Sequence, residues 1–263
     1  FPSNQLGNDG AMINGVRGGT IDIVSSGASN FNGMVPNTAA MELPFVFRNA
    51  QHAYNVLDGD VGTGVLNELA PHNMKGLAYW ENGWRAFTNN KRPVNKPEDL
   101  KGLKIRSTPN PYHIQAFKLL GMNPSPMPIA ELYTALESGA FDAQEHPINV
   151  TWSSKFYEVQ KYLTVSNHVY SPLIVAMNKA KFDSLPANYQ KIVVDSAREA
   201  AKFQRDLNAQ NAGKVVAELK KSGMQVIENV DMAPFQKIVS AEIAKSFGEK
   251  NGPALLNAIE STK

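Results

Sequence analysis

The chain has 263 residues, 43% of them hydrophobic, which suits two domains of ordinary size with real cores. Its 26 basic and 24 acidic side chains balance to +2 at pH 7, too even for a surface built to hold a nucleic-acid backbone. The lack of cysteine excludes disulfides, thiolate nucleophiles and cysteine metal sites, and the longest apolar runs, such as residues 173–177, are strand-sized instead of membrane-spanning.

Residues 1–7 read as the end of a strand and a turn. Residues 8–16 are predicted as a short amphipathic helix with Met12, Ile13 and Val16 inward, and residues 20–24 alternate like a strand. Ser26 follows that strand, either as a hydroxyl presented to a cleft or as a turn serine bonding its own backbone. The glycine-rich run over 15–19 has neither the G-x-G-x-x-G spacing nor a G-K-[ST] ending and precedes a strand, so it reads as a helix stop. Residues 42–47 form a strand or loop, and 50–57 and 62–69 two helices covering a first sheet. The next strand, 77–80, delivers Glu81, Asn82, Gly83, Trp84 and Arg85 to its carboxyl end. Trp84 offers a stacking surface or ordinary packing. Arg85 offers a planar fork to a carboxylate or forms a salt bridge to Glu81 or Glu145.

The stretch 100–147 reads as β-α-β-α-β. Leu103, Ile105 and Arg106 lie on a strand, 112–120 and 131–137 on helices stopped by Gly121 and Gly139, and 141–143 begin the next strand. In open α/β sheets ligands bind beyond the carboxyl ends of strands, where Arg106 and the turn Gln144-Glu145-His146-Pro147 fall. An arginine buried there needs an anion, from a ligand or from Glu131 or Glu145. His146 can reach a carboxylate or hydroxyl in either protonation state, and it is expected to make binding pH-sensitive near neutrality; its alternative is to cap the turn before Pro147. Residues 152–161 are predicted helical, and 163–166 lead to a strand at 169–175 that carries Tyr170 and Ser171. Residues 187–222 form one long helix with Pro186 at its start and Gly223 at its stop, roughly 50 Å at about 1.5 Å per residue. Residues 225–227 and helices over 234–247 and 253–259 complete the chain.

The strings LKGLKIR, PMPIAELYTALESGAFDAQEHP and KFYEVQKYLTVSNH, taken in order, resemble the solute-binding proteins of TRAP-type (tripartite ATP-independent periplasmic) transporters, and the resemblance continues to the long helix after SLPANYQK. It implies an α/β, two-domain periplasmic-binding-protein fold with a ligand cleft between domains and a long domain-spanning helix, for which Gly213 is the candidate bend. It also implies that Arg106 holds a ligand carboxylate, that Arg85 assists, and that Ser26, Tyr170 and Ser171 reach the cleft. His146 stands where the family commonly has asparagine. Domain I is expected over 1–84 plus 172–211 and domain II over 85–171 plus 212–263. Family members usually have several tens of residues before the equivalent of Phe1, so the N-terminal part of domain I is expected to be incomplete, and any export signal to be removed or outside this sequence.

The function implied is periplasmic capture of a small organic acid by cleft closure and its delivery to a TRAP membrane permease, without membrane insertion and as a monomer. Ser, Asn, His and Trp around the site favour a sugar acid, a uronate or aldonate; C4-dicarboxylates, keto acids and a role as sensor partner stay open. The chain lacks a G-x-S-x-G elbow, a cysteine nucleophile and a dinucleotide fingerprint, so no enzyme and no cofactor is expected. His52, His72, His113 and His168 have no metal-site spacing, so no metal is expected either.

Overall fold

A computed structural model describes residue 1 and residues 5–263; the strand end read at 1–7 therefore falls largely on residues 2–4, outside the described residues. Helix α1 (Asp9–Gly18) starts on Asn8, whose side chain accepts from the Ala11 N–H, and stops at Gly19, which sits at φ 81°. Strand β1 (Ile23–Gly27) lies three residues later than the expected 20–24. The turn that leaves α1 consumes Thr20 and Ile21, whose N–H groups bond back to Gly15 O, and this sets Ser26 inside the strand and not after it. Residues 42–47 carry no strand; a 3-10 stretch (Pro36–Glu42) precedes them. Helices α2 (Ala50–Asp58) and α3 (Asp60–Asn67) follow as expected.

Strand β2 (Met74–Asn89) is 16 residues long, not the four read from the sequence. Glu81, Asn82 and Gly83 read as a strand end because they are polar and contain glycine. In the structure they form a bulge: the register shifts between Glu81 and Gly83, Gly83 takes φ 123°, and the ladder resumes. Then come β3 (Lys104–Ser107), α4 (Pro111–Leu119), β4 (Asn123–Pro126), α5 (Ile129–Glu137) and β5 (Ala143–Pro147), the β-α-β-α-β order expected. Helix α6 (Ile148–Ser153) is followed by a 3-10 turn (Phe156–Glu158) instead of the single helix expected over 152–161, because Lys155 takes the left-handed conformation at φ 56°. Strands β6 (Tyr162–Thr164) and β7 (Tyr170–Asn178), helix α7 (Lys179–Asp183), helix α8 (Ala187–Lys221), strand β8 (Gln225–Ile227) and helices α9 (Ala233–Asn251) and α10 (Ala254–Ser261) complete the order.

The strands follow the path β1-β7-β2-β5-β3-β4, with β6 and β8 joined through β2. β2 belongs to two pairings in succession. Residues from Met74 to Trp84 run antiparallel to β7, and residues from Arg85 to Asn89 run antiparallel to β5 on one side. On the other side β6 pairs with Phe87, Thr88 and Asn89, and β8 pairs parallel with β6. The hand-over falls between Trp84, opposite Tyr170, and Arg85, opposite Pro147. Helix α8 spans both sheets: Ala197, with Val193 and Val194, packs against Leu77, Ala78, Val175 and Phe182, whereas Leu219 and Val215 pack with Ala86, Leu163 and Met224. It runs unbroken through Gly213. The result is a mixed α/β fold in which the long β2 joins two sheet regions at the hand-over.

Candidate functional site

Between the two sheets lies a cavity of about 510 Å³, of the size that takes a small metabolite. β3 ends in it with Arg106 and then Thr108; the turn before α5 adds Met127; β5 adds His146. From the other side come Asp9 at the start of α1, Ser26 of β1, Ser29, Asn30, Glu42, Asn82 of the β2 bulge and Ser171 of β7.

Arg106 is buried, 6% exposed, and makes no ion pair among the described residues. Its Nε donates to Met127 O at 2.8 Å and its Nη1 to His146 Nε2 at 3.4 Å. Burial, and next the charge of Arg85, push its pKa down to about 10, so it remains cationic at neutral pH. A guanidinium only donates, so His146 Nε2 accepts and the ring proton sits on Nδ1, which donates to Gln144 Oε1. Gln144 Nε2 in turn donates to Thr88 Oγ1 at 2.7 Å, and Thr88 to Gln160 Oε1 at 2.8 Å. The direction of every bond in this buried row is fixed from Arg106 backwards. Burial, then the charges of Arg85 and Arg106, hold the His146 pKa well below the ordinary histidine value. This corrects the expected pH sensor: His146 faces two cations in a dry site and stays neutral through the range in which an ordinary histidine titrates.

Arg85 lines the cavity, but its fork is committed elsewhere. Nε and Nη2 take the two carboxylate oxygens of Glu145, Nη2 at 2.8 Å, and Nη2 also reaches Glu145 O at 2.5 Å. Burial alone would lower the pKa of Arg85 and raise that of Glu145. Their mutual attraction wins, so Arg85 is raised and Glu145 lies well below the carboxylate range. Of the alternatives open in the sequence, the salt bridge to Glu145 is the one present. Only Nη1 points onward, to Ser171 Oγ at 3.4 Å.

Ser26 and Ser171 both line the cavity. Ser26 Oγ donates to Asp9 Oδ1 at 2.5 Å and accepts from Asn30 Nδ2 at 3.0 Å. Ser171 Oγ donates to Glu42 Oε1 and accepts from Asn82 Nδ2 at 3.3 Å. Tyr170, expected to reach the cleft, does not line it, and of the two readings of Trp84 the structure shows packing and not a stacking surface in the cavity. They pair with each other across the sheet, edge to face at 5.3 Å between ring centroids, and the Tyr170 hydroxyl donates to Glu81 Oε2 at 3.0 Å. Alternation along β7 turns Tyr170 away from the side of Ser171, and on β2 the bulge between Glu81 and Gly83 puts Trp84 on the face opposite Ser171 as well.

Sequence reading missed Glu42, Asp9, Asn30 and Asn82. Glu42 opens the apolar run Leu43-Pro44-Phe45, and Asp9 begins a helix where an acid complements the dipole, so each has an ordinary explanation in its own segment. Only the fold brings them to one wall. Among the described residues no group of three or more His, Asp or Glu side chains has metal-binding geometry.

The family model for the bacterial extracellular solute-binding proteins, family 7 (DctP), matches residues 1–250. The chain belongs to that family. A Haemophilus influenzae protein of uncharacterised function is 52% identical over 99% of this chain and 80% of its own length. The 2,3-diketo-L-gulonate-binding periplasmic protein YiaO of Escherichia coli is 48% identical, over 100% of this chain and 81% of YiaO. Among solved structures, a TRAP periplasmic solute-binding protein from Polaromonas sp. JS666 bound to D-erythronate superimposes with a TM-score of 0.96 at 39% identity, covering 100% of this chain and 86% of that one. The family 7 proteins are substrate-binding components of transporters, not enzymes. None of the helices in the described residues is long and apolar enough to cross a membrane.

Proposed function

We propose that this chain binds a sugar acid, an aldonate or uronate, in the 510 Å³ cavity and delivers it, as a periplasmic monomer, to a TRAP membrane permease. Arg106 carries the reading. It is a buried cation at a strand end, held in place by Met127 O and His146 and facing the cavity with no carboxylate partner of its own among the described residues. A ligand carboxylate completes it with a charge-assisted, planar pair. Arg85, locked on Glu145, supports from behind with its charge and through Ser171. His146 accepts from Arg106 and orients it. The serine and asparagine side chains of the facing wall suit hydroxyl groups, and the names of two similar proteins, which bind diketogulonate and erythronate, favour the same chemistry.

Domain I comprises 1–84 and 172–211 and domain II 85–171 and 212–263 in this reading, supported by the hand-over of β2 pairing at Trp84 and Arg85. Capture follows from that division. The open cleft admits the acid, and closure raises affinity by removing water around the Arg106 pair, so that ligand shifts the population to the closed form.

The test is thermal unfolding and calorimetric titration with aldonates, uronates, C4-dicarboxylates and keto acids, repeated on Arg106→Ala. Ligand at about a hundred times its Kd adds roughly 2.7 kcal/mol, some 5–10 °C for a chain of this size. The expected result is a shift with a sugar acid that Arg106→Ala cuts to less than a third. A shift of equal size in the variant, or none with any sugar acid, overturns the proposal.

A further inference from the structure

The charges of the cavity are divided between its walls. The wall carrying β3 and β5 contributes Arg106, while the wall carrying β1 and β7 contributes two carboxylates, Asp9 and Glu42. Arg85 offsets the second wall only in part, since its fork is spent on Glu145 and it reaches Glu42 only through Nη1 and the Ser171 hydroxyl. Glu42 is 1% exposed and has no ion pair among the described residues. It is held by neutral donors: the Ser29 N–H at 2.6 Å, the Ser29 hydroxyl and the Ser171 hydroxyl. A carboxylate has about four acceptor sites; Oε2 takes two of these donors and Oε1 one, which leaves a site on Oε1 of a residue that lines the cavity. Burying a charge in this way is costly and marks a use for it.

The hydrogen bonds around both acids run in one direction. Asn82 donates to Ser171, which donates to Glu42; Asn30 donates to Ser26, which donates to Asp9. Each serine proton is thereby used on an acid, and each asparagine NH₂ spends one of its two protons on a serine. The charged groups this wall offers a ligand are acceptor oxygens. A hydroxyl can donate to it; a carboxylate, which has only acceptors, cannot, and meets like charge in a site that closure dries.

We infer that Glu42, seconded by Asp9, makes this cavity selective for a monocarboxylic polyhydroxy acid and excludes the corresponding dicarboxylic acid. The inference rests on the sugar-acid reading above. The ligand carboxylate lies on Arg106 and the distal hydroxyls on the acidic wall, so oxidising the terminal carbinol to a second carboxylate abolishes binding although size and stereochemistry are kept.

The experiment compares matched pairs on the whole chain by calorimetry: D-erythronate with meso-tartrate, D-gluconate with D-glucarate, and D-galactonate with galactarate. The expected result is that any aldonate that binds does so at least tenfold more tightly than its dicarboxylic partner, and that Glu42→Gln weakens the aldonate while narrowing the gap. Asp9→Asn, on a half-exposed side chain, narrows it less and serves where Glu42→Gln does not fold. If an aldonate binds and its partner follows within tenfold, the acidic wall is refuted while the sugar-acid reading stands. If no aldonate or uronate binds, that reading falls and the selectivity with it.

Discussion

Arg106 and Arg85 are both buried arginines lining the same cavity, yet only Arg85 has an internal carboxylate partner among the described residues, and opposite consequences follow. Arg106 has no internal ion pair among the described residues, so Arg106→Ala is expected to leave the ligand-free protein within about 1 kcal/mol of wild type in urea unfolding, while affinity for the acid falls thirty- to a hundredfold, about 2–3 kcal/mol. Glu145→Gln instead strands the Arg85 charge, 2% exposed, in the interior. That substitution is expected to cost about 3–5 kcal/mol of stability before any ligand is added. Urea denaturation of the two variants side by side checks both statements; a stable Glu145→Gln protein would mean that the pair contributes little.

Three buried histidines set the acid limit. Burial lowers the pKa of His113, His146 and His168, with the neighbouring Arg85 charge acting in the same direction on each. Since the folded values lie below the unfolded one of 6.5, the unfolded chain binds more protons in the window beneath it. Stability is therefore full above about pH 6.5 and falls as the pH drops below it, by up to roughly 1.4 kcal/mol per pH unit for each histidine. Glu145, whose folded value is also depressed, adds a loss that begins only below its ordinary 4.5. Thermal unfolding between pH 4 and 8 should show this slope, and His146→Asn should reduce it. Ligand affinity, by contrast, should be flat from pH 6.5 to 8, because His146 is neutral throughout.

At the scale of elements, β2 depends on its bulge. Gly83 occupies φ 123°, a region closed to side chains, and a Cβ built there would stand 3.2 Å from Pro147 Cβ, the residue that starts the pairing with β5. Gly83→Ala is expected to destabilise by about 1–3 kcal/mol, measured by urea denaturation, and to weaken ligand binding because Asn82 and Arg85 flank it. Helix α8 is fastened just there. Gln204 exchanges two hydrogen bonds with the Glu81 backbone, at 2.9 and 2.6 Å, and Asn208 reaches Glu81 Oε1 at 3.2 Å.

The elements around Arg106 were legible in the sequence because their signals are local: the helices over 112–120 and 131–137 have apolar periodicity, a proline at the start of α4 and glycine stops. The continuous β2 was not, since a bulge borrows the composition of a turn and only cross-strand pairing tells them apart. Candidate site residues divided in the same way. Arg106, Ser26, Ser171 and His146 stood out at strand ends, but the partner of Arg85 lies 60 positions away and that of Glu42 129 positions away. No local pattern ranks Glu145 above Glu81 for the first, nor distinguishes Glu42 from an ordinary loop acid. The neutral state of His146 depends first on its burial and then on two arginines from other strands, none of which is local in sequence, so the expected pH sensor became a fixed acceptor.

For the whole molecule, ligand binding should compact the chain. Small-angle scattering with and without a bound sugar acid is expected to give a smaller radius of gyration in its presence; identical profiles would place closure outside the mechanism. The three chain segments that pass between the proposed domains lie side by side: β2 at Trp84 and Arg85, β7 entering at Tyr170, and α8 opposite Glu81 through Gln204 and Asn208. Away from these crossings the chain's last helix is tied to α2: His52 Nε2 donates to Ile259 O at 2.9 Å, and Arg48 donates to Glu260 O at 3.0 Å and to Thr262 O at 2.6 Å. In the proposed closure α10 therefore travels with the wall of Asp9 and Glu42, although the chain reaches it from the other half.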